Sequence, residues 1–256
     1  MPIAALAPLA RVAGFEGLSM RASVVSVDSP QNRVDAVRAA LERENLAVSM
    51  VMGDIPLATN SPEAPLALRN ITPYLDLAAN LGGRLVRVMM HGDDDIGHAQ
   101  RAADEANERG MTLAHQTHWG TLCETVKGTL ETARPVGRQN FGITFEPANL
   151  LACGEAHDSE AITRLAPYLV NVYFQNVRLD PDGPHVFKTR ARGPVPLSYV
   201  PLDDPGGLSA RDMVSALAKV GYNGWVSVHQ PLRDGQTVED AIAEAAAVFR
   251  PLVANP

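Results

Sequence analysis

Hydrophobic positions recur along this chain with two different periods, and the two alternate. Over residues 34–44 apolar side chains return at Val34, Val37 and Leu41, while Arg38, Glu42 and Arg43 fall on the other side. That spacing predicts an amphipathic helix. Residues 46–52 follow as a short apolar run, the mark of a buried strand. The same alternation predicts helices over 71–81, 96–109, 122–133, 159–165, 209–220 and 238–248. It predicts strands over 18–23, 84–91, 111–118, 141–146, 170–175 and 225–229. Gly82-Gly83, Gly110 and Gly221 stand where helices should stop, and Ser209 stands where one should be capped.

Strands separated by helices imply βαβ units and a parallel sheet. About seven strands in strict alternation favour a closed barrel over a doubly wound sheet, and 256 residues suit a single barrel domain, 1–256. The stretches "RVAGFEGLSMR" from Arg11 and "KVGYNGWVSVH" from Lys219 repeat one helix-to-strand turn, as repeated βα units would. Barrels of this kind have about eight strands. Here residues 4–12 read as a helix with no strand before it. The expectation is therefore a (β/α)8-type barrel lacking its first strand, that is, a seven-stranded, open barrel with the gap covered by the N-terminal segment or a partner subunit; the alternative is a late start codon or a divergent N-terminus. Residues 178–205, rich in proline and glycine, are predicted as a βα loop over the barrel mouth. Lys188, Arg190 and Arg192 in it either meet an anionic group or belong to an ordinary solvated loop.

Composition narrows the function. Hydrophobic residues make up 46% and charged residues 20%, as in globular proteins, and the net charge of −7 argues against a nucleic-acid surface. A small sugar-like substrate suits that balance. The two cysteines, Cys123 and Cys153, have neither metal-knuckle nor redox spacing, so a reducing, cytoplasmic setting is expected. No signal-peptide pattern or membrane span is expected. The absence of GxGxxG at a strand–helix turn and of a Walker A run predicts no nucleotide cofactor. The absence of a Gly-x-Ser-x-Gly elbow argues against serine-hydrolase chemistry.

Four stretches carry a resemblance: "GFEGLSMR" (14–21), "LAHQTHWGTLCET" (113–125), "FGITFEPANLLACG" (141–154) and "GYNGWVSVHQP" (221–231). With them the chain resembles the sugar phosphate isomerase/epimerase family, the xylose isomerase-like TIM barrels. The resemblance implies the barrel fold, a small sugar or polyol substrate, and an assembly that is a homo-oligomer or includes a partner subunit. It also implies one divalent metal held by Glu, Asp, His and Glu. This chain departs at each of those positions: Gln116 for the first Glu, Glu146 for Asp, Tyr173 for His with Gln175 for the usual following Lys, and His229 for the last Glu.

Strand alternation gathers what remains. Side chains two apart share a face, so Gln116 and His118, Tyr173 and Gln175, and Ser227 and His229 would converge with Glu146 at the mouth. His118, Glu146 and His229, with oxygen from Gln116, can hold Mn, Zn, Fe, Co or Mg; alternatively the metal is lost and these groups bond one another. The same three are the candidate catalytic residues, because imidazole and carboxylate suit proton transfer near neutral pH. Gln116 cannot take a proton. Gln116, Tyr173, Gln175, Trp119 and Arg87 are candidate substrate contacts, with Arg87 pairing either Glu146 or a substrate anion. His115 should face the helices, and Asn149 is expected only to shape its loop. The expected reaction is isomerisation or epimerisation by proton abstraction next to a carbonyl. Its rivals are β-elimination by a lyase or dehydratase, cleavage of a keto-glycoside, and a non-catalytic barrel subunit.

Overall fold

The computed structural model describes residues 1–254. In chain order the elements are α1 (Ile3–Val12), β1 (Gly17–Met20), α2 (Gln31–Arg43), β2 (Ala47–Val51), α3 (Ile55–Thr59), a 3-10 turn (Ala64–Arg69), α4 (Thr72–Asn80), β3 (Leu85–Val88), α5 (Asp94–Glu108) and β4 (Thr112–Gln116). They continue with α6 (Val126–Val136), β5 (Phe141–Phe145), α7 (Pro147–Cys153), α8 (Ser159–Leu165), a 3-10 turn (Ala166–Tyr168), β6 (Leu169–Phe174), β7 (Val177–Leu179), β8 (His185–Thr189), β9 (Gly193–Tyr199), α9 (Ala210–Lys219), β10 (Val226–Val228) and α10 (Val238–Ala254).

Seven strands form one sheet in the order β1-β2-β3-β4-β5-β6-β10. The pairs β1/β2, β2/β3, β3/β4, β5/β6 and β6/β10 are all parallel. This is the strand complement of a TIM barrel one short of the usual set, with α1 as the first element, as the hydrophobic pattern predicts. The turns after α1 and α9 do match: Gly14 and Gly221 take φ of 87° and 72°, where a Cβ would be strained.

Residues 178–205 correct the expectation. They hold an antiparallel sheet, β7-β9-β8, rather than a loop. Two prolines hide the strand pattern, since Pro194 and Pro196 lie in the central strand β9. Proline there normally costs a ladder bond. The Pro196 carbonyl accepts from Asp180, so these residues face the β7 side, and β7 pairs only with Leu197, Ser198 and Tyr199. No ladder N–H is needed where the prolines sit.

The chain divides into two compact units. One comprises Met1–His115 with Arg134–Gly142, the other Gln116–Ala133 with Ile143–Pro256. In the first, α2 buries Val34, Val37 and Leu41, the predicted stripe. Gly53 at φ 85° lets the Tyr74 ring of α4 approach so closely that a Cβ would lie 2.2 Å from Cδ1. Arg87 of β3 is 2% exposed; its guanidinium donates to the Asn60 side chain, and Met52 Sδ lies 4.0 Å away. In the second unit β5 and β6 bury Ile143, Phe145, Val172 and Phe174, and Phe174 meets Phe249 of α10 edge-on at 5.2 Å. Ser209 caps α9 by accepting from Asp212 N at 3.1 Å.

Candidate active site

The polar centre is assembled within the second unit, from strand ends. β5 is a run of buried residues, FGITF, that stops at Pro147, the first residue of α7. Proline cannot extend the ladder but suits a first helical position. Glu146 is thereby left at the junction, 1% exposed. Its side chain makes no cap bond to α7. Thr117, just past β4, aligns the two strand ends. Its N donates to Thr144 O at 2.9 Å, and its hydroxyl accepts from Glu146 N at 2.8 Å.

A buried carboxylate is costly unless partnered. Glu146 Oε2 accepts from the Gln116 amide and from Asn149 Nδ2 at 2.6 Å, while Asn149 also donates to Thr117 O at 2.9 Å. Oε1 faces His229 Nδ1 at 3.5 Å. That distance is at the long limit of a hydrogen bond. Burial pushes the Glu146 carboxyl up. The His229 contact, the charge of His118 and the Gln116 amide outweigh it and hold the carboxyl below its ordinary value.

His229 follows β10, and its N donates to Phe174 O at 2.8 Å. Its ring stacks on Tyr173, centroids 4.7 Å apart and planes at 25°, and its side chain is 29% exposed against 1% for Glu146. A fixed, partly accessible imidazole thus stands over a buried carboxylate. His118 Nδ1 lies 2.8 Å from Trp119 O. A carbonyl only accepts, so Nδ1 carries a hydrogen and Nε2 is the basic nitrogen of the neutral ring. Gln175 is buried just beyond β6.

Two residues had no sequence signal. Tyr199, at the end of β9, is brought near the centre: burial and the Glu146 charge push its phenol up to about 12. Glu124, 4% exposed, accepts backbone hydrogens from Gly120 (3.1 Å), Arg190 (2.7 Å) and Ala191 (3.1 Å). It ties the β8–β9 turn to the loop after β4. There Phe187 of β8 packs on Trp119 at 5.7 Å, and Trp119 on His118 at 4.7 Å. Trp119 therefore has aromatic neighbours of its own.

The remaining expectations fall as follows. Asn149 does more than shape its loop, since it bonds the Glu146 carboxylate directly. His115 is fully buried with Nε2 at 3.2 Å from Met90 O, a packing role as expected. Arg87 lies in the first unit on Asn60 and Met52. Cys123 and Cys153 are buried free thiols; burial pushes Cys123 up to about 12, which keeps it from acting as a nucleophile. No helix among the described residues is long and apolar enough to cross a membrane.

The expected metal set of Glu146, His229, His118 and Gln116 does not fit an ion as arranged. An amide facing a carboxylate must present N–H, so Gln116 turns its nitrogen toward Glu146, and a cation at Oε2 would meet amide hydrogens from Gln116 and Asn149. Among the described residues no three His, Cys, Asp or Glu side chains converge as a metal site requires.

The xylose isomerase-like TIM barrel family model matches residues 7–252, and the chain belongs to that family. No curated protein matches the chain. Solved structures share the fold at low identity. The probable 3-DHS dehydratase AsbF of Bacillus anthracis, involved in petrobactin synthesis, is 17% identical, covers 95% of this chain and 92% of its own, and has a TM-score of 0.71. A xylose isomerase-like TIM barrel protein from Mycobacterium smegmatis, in complex with magnesium, is 17% identical over 96% and 87% of the two chains, TM-score 0.69. D-psicose 3-epimerase from Clostridium cellulolyticum, with D-tagatose, is 15% identical over 98% and 86%, TM-score 0.61.

Proposed function

We propose that this chain is an isomerase or epimerase-like enzyme that moves a proton next to the carbonyl of a small polyhydroxylated compound. The observation that carries the reading is the His229–Glu146 pair: a partly accessible imidazole, stacked on Tyr173, with its Nδ1 edge toward a buried carboxylate. Glu146, held ionised, orients the neutral ring through Nδ1–H and stabilises the imidazolium that forms when the ring takes a proton, without exchanging protons itself. His229 takes the proton through Nε2. The C–H bond breaks and its electron pair forms an enediolate. The neighbouring hydroxyl passes its proton through His118 Nε2 to the former carbonyl oxygen as the new carbonyl forms, and His229 returns the abstracted proton to the carbon that bore the first carbonyl. His118, with its basic Nε2 fixed by the Trp119 carbonyl, is the second proton-transfer group. Tyr173 and Gln175 border the centre as substrate contacts, and Trp119 offers a face for a sugar ring. No step runs through a metal ion. A dehydratase and an epimerase among proteins of the same fold support this range of chemistry. The two free thiols agree with a cytoplasmic protein.

Gln116 favours a second reading. A two-base epimerase needs a base on each substrate face, and an amide is none. Elimination needs only one abstraction and one donation. In that case the enediolate expels a β-hydroxyl as water, which takes the proton that His229 abstracted. Incubation in D2O with a panel of ketoses, keto-sugars and β-hydroxy carbonyl acids tests both readings by NMR. Deuterium next to the carbonyl without loss of mass supports isomerisation, and a new alkene or dicarbonyl product supports elimination. His229→Ala should lower either rate by about 10²–10⁴-fold. A wild-type rate equal to that of His229→Ala throughout would point to a non-catalytic subunit.

A further inference from the structure

We propose that this chain has exchanged a divalent cation for an internal amide: Gln116, with Asn149, gives Glu146 the positive partners an ion would give, and the single change Gln116→Glu turns the centre into a metal site. The inference concerns the site described above but rests on its geometry, not on the reaction assigned to it.

Three observations carry it. Glu146 is 1% exposed, so its charge must be met by nearby groups rather than by water. The same oxygen, Oε2, accepts from Gln116 and Asn149, while His229 meets the other. Those donors occupy the directions from which a cation would approach, and their hydrogens carry the same sign of charge. Finally, Gln116 is the same shape as glutamate. A carboxylate there would face that of Glu146 where an N–H···O contact now stands. Two carboxylates sharing a site are relieved by a proton or by a cation. Asn149 Nδ2 would still hold Glu146 from one side, and His229 supplies an imidazole, so the altered set of two carboxylates and one imidazole matches the mixed oxygen and nitrogen ligands of Mn2+. In the present chain the amide makes the ion unnecessary.

The test uses the full chain, dialysed against EDTA and then supplied with MnCl2, and reads metal content and thermal unfolding. Wild type should retain no ion and show no change in Tm. Gln116→Glu should have a lower metal-free Tm, take up roughly one Mn2+ per chain, and rise by about 5–10 °C with Mn2+ a hundredfold above Kd. The gain should vanish when Glu146→Gln is added. If the metal-free variant does not fold, refolding in Mn2+ reads the same property: recovery of the far-UV circular dichroism supports the exchange, and no recovery overturns it. Wild type holding an ion that Glu146→Gln loses overturns it as well, as does a folded Gln116→Glu that binds none. Because no activity is read, failure of the proposed reaction and failure of this inference are separate results.

Discussion

Glu124→Gln is the sharpest probe of how the site is held. Both carboxylate oxygens of Glu124 are in use: one accepts from Arg190 N and Ala191 N at 2.7 and 3.1 Å, the other from Gly120 N and Arg190 N at 3.1 and 3.0 Å. The amide keeps the shape but replaces one oxygen with NH2. Whichever oxygen goes, two backbone N–H groups then face a donor. Hydrogen bonds to a charged group contribute about 1.5–3 kcal/mol each, which sets a ceiling of about 6 kcal/mol for two. Two effects reduce it. Arg190 and Ala191 are exposed, so water can reach their amides, and a neutral Gln is cheaper to bury than a carboxylate. A net loss of about 2–3 kcal/mol remains, which for a chain of this size lowers Tm by about 5–10 °C. Calorimetry measures the loss. Amide hydrogen exchange locates it, with Arg190 and Ala191 exchanging faster while β5 and β6 keep their protection. A drop in Tm under about 1 °C, or an even loss of protection across both units, would refute the reasoning.

Other outcomes follow from the same geometry. Glu146 has a folded pKa below its unfolded value, so its contribution is complete above the unfolded value near 4.3. That contribution fades as pH falls through the lower folded pKa. Wild-type Tm should therefore drop on acidification below about pH 4.3, and Glu146→Gln should drop less steeply; parallel profiles would contradict the assignment. Gly53→Ala forces a Cβ into the Tyr74 ring at positive φ and should cost more than about 2 kcal/mol by chemical denaturation. A loss within about 0.5 kcal/mol would mean that α4 moves aside freely.

Much of the fold was legible because burial has a period. The stripe Val34, Val37, Leu41 stood on α2 where the spacing put it, and the parallel strands fell within or beside their predicted runs. Strand ends were less so: the run 84–91 is a strand only over Leu85–Val88, because apolar residues stay buried after the ladder ends. β9 was illegible because Pro194 and Pro196 break the pattern that marks strands, and only its place beside the short β7 excuses them.

By itself the sequence determined the alternation of helix and strand, the family, and the placing of Gln116, His118, Glu146, Tyr173 and His229 at strand ends. Each follows from local period or a local motif. Tertiary structure alone decided which polar groups meet. Glu146 finds Gln116 across 30 residues and His229 across 83, and Glu124 reaches the β8–β9 turn across 66. Periodicity says which face a side chain occupies. It does not say which donor stands opposite an acceptor, because strand register and rotamers over the whole unit set that. The choice between a cation and an amide beside Glu146 depends on those contacts.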